Sequence, residues 1–129
     1  MNKIFIEVSV GELLDKISIL EIKKDKIKDP DKLSFISNEL SKLKEELNKN
    51  VKHDAKLDDL HQSLKIINLR LWDIEDEKRE CEKEKVFTEK FIKLSRDVHI
   101  LNDDRAKIKL EINNHTGSII KEIKEYTSY

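Results

Sequence analysis

Leu57-Asp58-Asp59-Leu60-His61-Gln62-Ser63-Leu64-Lys65-Ile66-Ile67-Asn68-Leu69-Arg70-Leu71-Trp72-Asp73-Ile74 places Leu57, Leu60, Leu64, Ile67, Leu71 and Ile74 at intervals of three and four, and the rhythm continues through Lys78, Cys81 and Lys85. Such intervals keep side chains on one face of an α-helix, and over several heptads they mark a seam that faces another helix. A second seam follows at Phe91, Leu94, Val98, Leu101, Arg105, Ile108, Ile112 and His115, with Thr88 as its capping residue. Two helices of roughly 40 Å each are expected, at about 1.5 Å per residue. A reversal between Val86 and Thr88 folds them into an antiparallel hairpin. The implied register pairs Cys81 with Leu94, Lys78 with Val98, Ile74 with Leu101, Leu71 with Arg105, Ile67 with Ile108, and Leu64 with Ile112.

Outward from this hairpin, Asn48 to Asp54 reads as a polar loop, preceded by a helix with Leu33, Ile36, Leu40, Leu43 and Leu47. Asp29-Pro30 opens that helix and closes an earlier one carrying Leu13, Ile17, Leu20 and Ile27, because proline fits only the first turn. Ser9-Val10-Gly11-Glu12 has the capping-box form for the first helix start. Residues 1–8 alternate Ile4, Ile6 and Val8, an extended lead-in, and Gly117 stops the last helix before a tail over 117–129. Ile66, Leu69 and Trp72 form a further apolar stripe, which the first two helices or a second subunit should cover. The expectation is one all-α domain, an antiparallel bundle of about four helices dominated by the helix 3/helix 4 hairpin, with a dimer of hairpins as the alternative.

Composition agrees with long amphipathic helices: 41% charged, 37% hydrophobic, two Gly and one Pro. A net charge of -1 with both signs interleaved carries no nucleic-acid or anionic-membrane footprint. Cys81 is the lone cysteine, so no intramolecular disulfide forms, a cysteine-based zinc site lacks ligands, and a reducing cytoplasm is the natural setting. No stretch resembles a secretory signal or a membrane span.

The polar exceptions on the seams are the first candidates for function. Arg105 lies on an apolar seam, and the register offers it Glu75 as counter-ion; such a pair commonly sets register. Arginine occurs only at Arg70, Arg79, Arg96 and Arg105, all in the second half. The register brings these cations level in pairs that could hold an anion, although carboxylates are abundant nearby. Asp73, Asp76 and Asp103 could hold magnesium, with a solvated acidic face as the plain alternative. The histidines fall in no Glu-x-x-His pattern, the Glu/Asp order departs from that of helical pyrophosphatases, and Asp76-x-x-Arg79-Glu80 lacks the earlier arginines of helical chorismate mutases. Phosphate loops and nucleophile elbows need more glycine than Gly11 and Gly117 supply. No catalytic set, metal or cofactor emerges.

Residues 8–23, Val8-Ser9-Val10-Gly11-Glu12-Leu13-Leu14-Asp15-Lys16-Ile17-Ser18-Ile19-Leu20-Glu21-Ile22-Lys23, with Leu71-Trp72-Asp73-Ile74-Glu75-Asp76 and Asn102-Asp103-Asp104-Arg105-Ala106, resemble the motifs of a small bacterial family known only as a domain of unknown function. The likeness runs from about Ile6 to Tyr126; the last residues depart from that family's Glu-Glu-Lys-Ser-Tyr ending. The resemblance implies no assigned activity and a link to surface-polysaccharide assembly. It also implies that Glu12, Asp15, Lys16, Glu21, Lys23, Trp72, Glu75, Asp76, Asn102 and Arg105 are the binding positions to test. Two functions are expected from these readings. One is a non-catalytic binding or adaptor protein that holds a protein partner or its own copy. The other is a small enzyme or binding protein for a phosphate or nucleotide-sugar ligand at the polar cluster of helices 3 and 4.

Overall fold

The computed structural model describes residues 2–119, 123 and 127–129. Four helices follow one another: α1 (Val10–Lys26), α2 (Pro30–Asn50), α3 (Ala55–Glu84) and α4 (Glu89–Thr116). Their ends follow the local chemistry. Ser9 Oγ accepts the Glu12 amide at 3.0 Å, and Asp29 Oδ1 accepts the Asp31 amide at 2.9 Å with Pro30 in the first turn. Asp54 Oδ1 accepts the Leu57 amide at 2.8 Å. Hydrogen bonds from the Leu57 amide and from His115 hold the Asp54 carboxyl below its ordinary value. At the hairpin, Lys85 adopts the left-handed conformation with φ 57°, and the Val86 amide reaches back to Cys81 O at 2.9 Å. Gly117 ends α4 with φ 69°. Thr88 stands at the α4 N-cap without a side-chain bond.

α3 and α4 pack along their length as the antiparallel hairpin that their seams require. α1 packs on all three other helices, whereas α2 approaches α1 alone. This layering splits the interior in two. Leu14, Ile17 and Leu20 of α1, Ile36, Leu40 and Leu47 of α2, and Leu57, Leu64 and Ile112 of the hairpin's open end form one core. Ile74, Cys81 and Leu94, flanked by Phe91, Val98 and Leu101, form a second core near the hairpin's closed end. The Cys81/Leu94, Ile74/Leu101 and Leu64/Ile112 pairings agree with these groupings. Each fully buried Leu or Ile contributes about 1.5–3 kcal/mol relative to exposure.

Two expectations need correction. The stripe on α3 is not covered: Ile66 is 59% exposed, Leu69 is exposed and Trp72 is half-buried. The cause is the position of α1, which seats on the face of α3 that carries Asn68 and holds α2 away from α3. Capping at Ser9 is half a box, because the Glu12 carboxylate turns across to α4 instead of returning to the Ser9 amide. The lead-in over 2–8 joins no helix or strand, and each of its residues is exposed. Of the tail, 120–122 and 124–126 lie outside the described residues, which takes in the Tyr126 end of the family likeness. Tyr129 lies beside α4, donating to Asp103 Oδ2 at 2.7 Å and meeting the His99 ring edge-on. That hydrogen bond raises the phenol above its usual range. No helix of the described residues is long and apolar enough to cross a membrane.

Candidate functional site

Glycine at position 11 lets the first turn of α1 press against α4: a Cβ there would stand 2.6 Å from the Lys109 carbonyl oxygen. The Gly11 amide, one of the donors a helix start leaves unpaired, instead donates to Asn113 Oδ1 at 2.7 Å inside the protein. One turn further, this contact delivers Asp15 into the gap between the two hydrophobic cores.

Asp15 is the centre of that gap, its side chain only 2% exposed. Asn68 Nδ2 donates to Asp15 Oδ1 at 2.8 Å and to Ser18 Oγ at 2.7 Å, so both amide hydrogens are used. Ser18 Oγ donates in turn to the Asp15 carbonyl at 2.8 Å. Arg105 grips the carboxylate with both arms of its fork, Nε to Oδ1 at 2.9 Å and Nη2 to Oδ2. Lys109 Nζ lies 3.9 Å from Asp15 Oδ2 and 2.7 Å from Glu12 Oε2. The counter-ion of Arg105 is therefore Asp15 of α1, not Glu75. Three hydrogen bonds and two neighbouring cations on one carboxylate are the arrangement that makes burial of its charge tolerable.

Glu75 stands on the solvent side, 3.8 Å from Arg79 one turn along α3. Between α1 and this part of the hairpin lies a cleft of about 400 Å³, lined by Ile19, Ile22, Asn68, Leu71, Trp72, Glu75, Asp76, Arg79 and Arg105. Its floor is apolar, its rim charged, and Arg105 reaches it while committed to Asp15. Residues of α1, of the Leu71–Asp76 run and of the Asn102–Ala106 run all contribute to the network or the cleft. Asn102 Oδ1 accepts from Arg105 Nη1 at 3.4 Å.

The chain belongs to the DUF6165 family. The model of this family of unknown function matches residues 4–129. No curated protein and no solved structure matches the chain. The DUF6165 assignment carries no activity with it.

The ten positions singled out in the sequence do not all gather at one place. Trp72, Glu75, Asp76 and Arg105 meet at the cleft, Asp15 and Asn102 hold Arg105 from behind, and Glu12 holds Lys109. Lys16 lies apart, exposed and 3.5 Å from Glu39 of α2. Lys23, half-buried on α1, does not line the cleft. Glu21 builds a separate cluster, with Lys44 of α2 at 3.8 Å and Lys65 of α3 at 3.7 Å, both on Oε2. Ser18, Asn68, Lys109 and Asn113 were missed. Asn68 and Lys109 each sit one residue past a seam leucine or isoleucine, and their polarity at the seam's edge was the available signal. Asp73, Asp76 and Asp103 do not assemble as a metal site: no group of three His, Cys, Asp or Glu residues clusters suitably among the described residues. Asp73 lies 3.9 Å from Lys26 instead.

The Glu21 cluster carries a pH-dependent term. His61 Nε2 stands 3.4 Å from Glu21 Oε1, close enough for an ion pair but not aligned for a hydrogen bond, and neither atom has another partner. Burial pushes the imidazole below its ordinary 6.5, Glu21 and Asp58 pull it up, and Lys65 and Lys44 oppose them. A depressed folded value means that the unfolded chain binds the proton first. The contribution is fully present above about pH 6.5 and is lost as pH falls through the folded value. Urea unfolding is expected to show lower stability at pH 5 than at pH 7.5, with a smaller difference in His61→Gln; equal differences in the two proteins would exclude His61 as the source.

Proposed function

We propose that this chain is a non-catalytic helical binding protein whose cleft beside Trp72 holds an apolar segment of a protein partner. The observation that carries this reading is the commitment of Arg105 to Asp15. A cation already neutralised by a bidentate carboxylate has little attraction left for a phosphate, and the rim supplies Glu75 and Asp76 against Arg79. What the cleft offers freely is the part-exposed apolar surface of Ile19, Leu71 and Trp72, with Ile22 buried beneath it. Apolar floors with charged rims suit amphipathic peptide segments, for which buried side chains supply affinity and rim charges supply orientation. The lone buried Cys81 suits a reducing cytoplasm, and the motif likeness favours a partner from surface-polysaccharide assembly.

Trp72 is the only tryptophan, so its emission reports on the cleft directly. Half-buried as it is, iodide is expected to quench it in part. Apolar peptides with flanking charges are expected to shift the emission to the blue and to reduce that quenching. Nucleotides, sugar nucleotides, inorganic phosphate and divalent ions are expected to leave both the emission and the melting temperature unchanged. A ligand at a hundred times its Kd stabilises by about 2.7 kcal/mol, well within reach of a thermal-shift assay. Stabilisation by a sugar nucleotide or phosphate, lost in Arg79→Ala, would replace this reading with a small-ligand site.

A further inference from the structure

We infer that the segment filling the cleft is the lead-in, residues 3–8, of a second copy of this chain, so that two copies exchange N-terminal arms. This rests on the reading of the cleft as a site for an apolar protein segment. Ile4 is 86% exposed, Phe5 88% and Ile6 77%, and Val8 is exposed beside them. Consecutive large apolar residues in water are a surface awaiting burial, and among the described residues none covers this run. In extended backbone, Ile4, Ile6 and Val8 point to one side and Lys3, Phe5 and Glu7 to the other. The first side matches the apolar floor of Ile19, Ile22, Leu71 and Trp72. Lys3 and Glu7 bring one charge of each sign to a rim that offers Glu75 and Asp76 on one hand and Arg79 on the other.

A second copy fits better than the chain's own cleft. Ser9 is buried at the start of α1 with extended backbone, φ -72° and ψ 158°, and the Val10 amide is held by Ser118 Oγ at 3.2 Å. From this pinned point, Ile19 and Ile22 lie about three to four turns further along α1, and the lead-in would have to reverse over the α1–α4 junction to reach them. Reciprocal exchange needs no reversal. It closes as a two-fold dimer in which each copy gives one arm and receives one, so no unpaired end remains to propagate.

Sedimentation equilibrium of the full chain across the micromolar range tests this. The wild type is expected to approach twice the monomer mass. The double variant Ile4→Asp/Ile6→Asp is expected to remain monomeric with unchanged circular dichroism and with a melting temperature that, unlike that of the dimeric wild type, does not rise with protein concentration, since these side chains stand in water in the separate folded chain. A synthetic peptide of residues 2–9 added to that variant is expected to shift Trp72 emission to the blue. A dimer that survives the double substitution would overturn the inference, as would a monomeric wild type whose Trp72 emission changes on the same substitution, which is the mark of a cleft filled from within. If other apolar peptides bind while the 2–9 peptide does not, the inference falls and the cleft reading stands; if no peptide binds, both fall.

Discussion

Asp15→Ala is expected to destabilise the fold by about 3–5 kcal/mol, because it takes from the guanidinium of Arg105 its bidentate acceptor and from the buried amide of Asn68 one of its two acceptors. Arg105 is 28% exposed and can recover part of its hydration, whereas Lys109, with its side chain 8% exposed, retains Glu12. Against a typical total of about 5–15 kcal/mol, such a loss moves the urea midpoint far and can unfold a marginal domain. Glu75→Ala is the contrasting control. Its carboxylate is half in water on the rim, so the change should remain within about 0.5 kcal/mol. A triple apolar replacement, Asp15→Leu with Asn68→Leu and Arg105→Met, removes every member that would otherwise be stranded and is expected to fold with stability near that of the wild type. A cost below about 1 kcal/mol for Asp15→Ala would show that the pair is hydrated in solution and that α1 is not held by it.

Gly11→Ala is expected to cost about 1–3 kcal/mol, the usual range for forcing a methyl into a filled contact. Helix propensity alone argues the other way, since alanine is better than glycine by about 1 kcal/mol in a helix. The contact decides the sign. The new Cβ would meet the Lys109 carbonyl at 2.6 Å and Asn113 Oδ1 at 3.0 Å, and the first is backbone of a long packed helix that cannot step aside. α1 must then move off α4, which stretches the buried Gly11–Asn113 bond and the Lys109–Glu12 pair together. Gly117→Ala serves as comparison: nothing lies within 4 Å of that position, and only its φ of 69° opposes a side chain, at about 1–2 kcal/mol. If Gly11→Ala raised the unfolding midpoint, the propensity term would have won, and α1 would not dock as closely as described.

Much of the architecture is legible in residue spacing. The three-and-four rhythm from Leu57 to Cys81 and from Phe91 to Ile112 forces two helices to share a seam, and Asp29-Pro30 and Ser9 place the boundaries of α1 and α2 through local hydrogen bonding. These are short-range effects, decided within one or two turns, so they survive without knowledge of the rest of the chain. Members of the candidate site are legible too: Arg105 as a cation that interrupts the α4 seam, Glu75 as the acid that the register sets beside it, Trp72 as part of a second apolar stripe, and Asp15 through the motif likeness.

Which of them meet is a different matter. A hairpin register compares α3 with α4 alone, and within that pair Glu75 is the nearest acid offered to Arg105. It takes the docking of α1 to supply a better one, because Asp15 arrives with its carboxylate already sheltered by Leu14 and Ile17 and met by Asn68, where attraction to a guanidinium is stronger than at a hydrated rim. The same docking leaves Ile66 and Leu69 in water. Periodicity therefore determined by itself that the protein is four helices with a long antiparallel hairpin, since backbone geometry and side-chain spacing are properties of neighbours in the chain. Only the tertiary structure decided the partner of Arg105, the split of the core into two, and the cleft beside Trp72, since each depends on where α1 crosses the hairpin, a contact set by the glycine-sized gap at Gly11 between residues about a hundred positions apart.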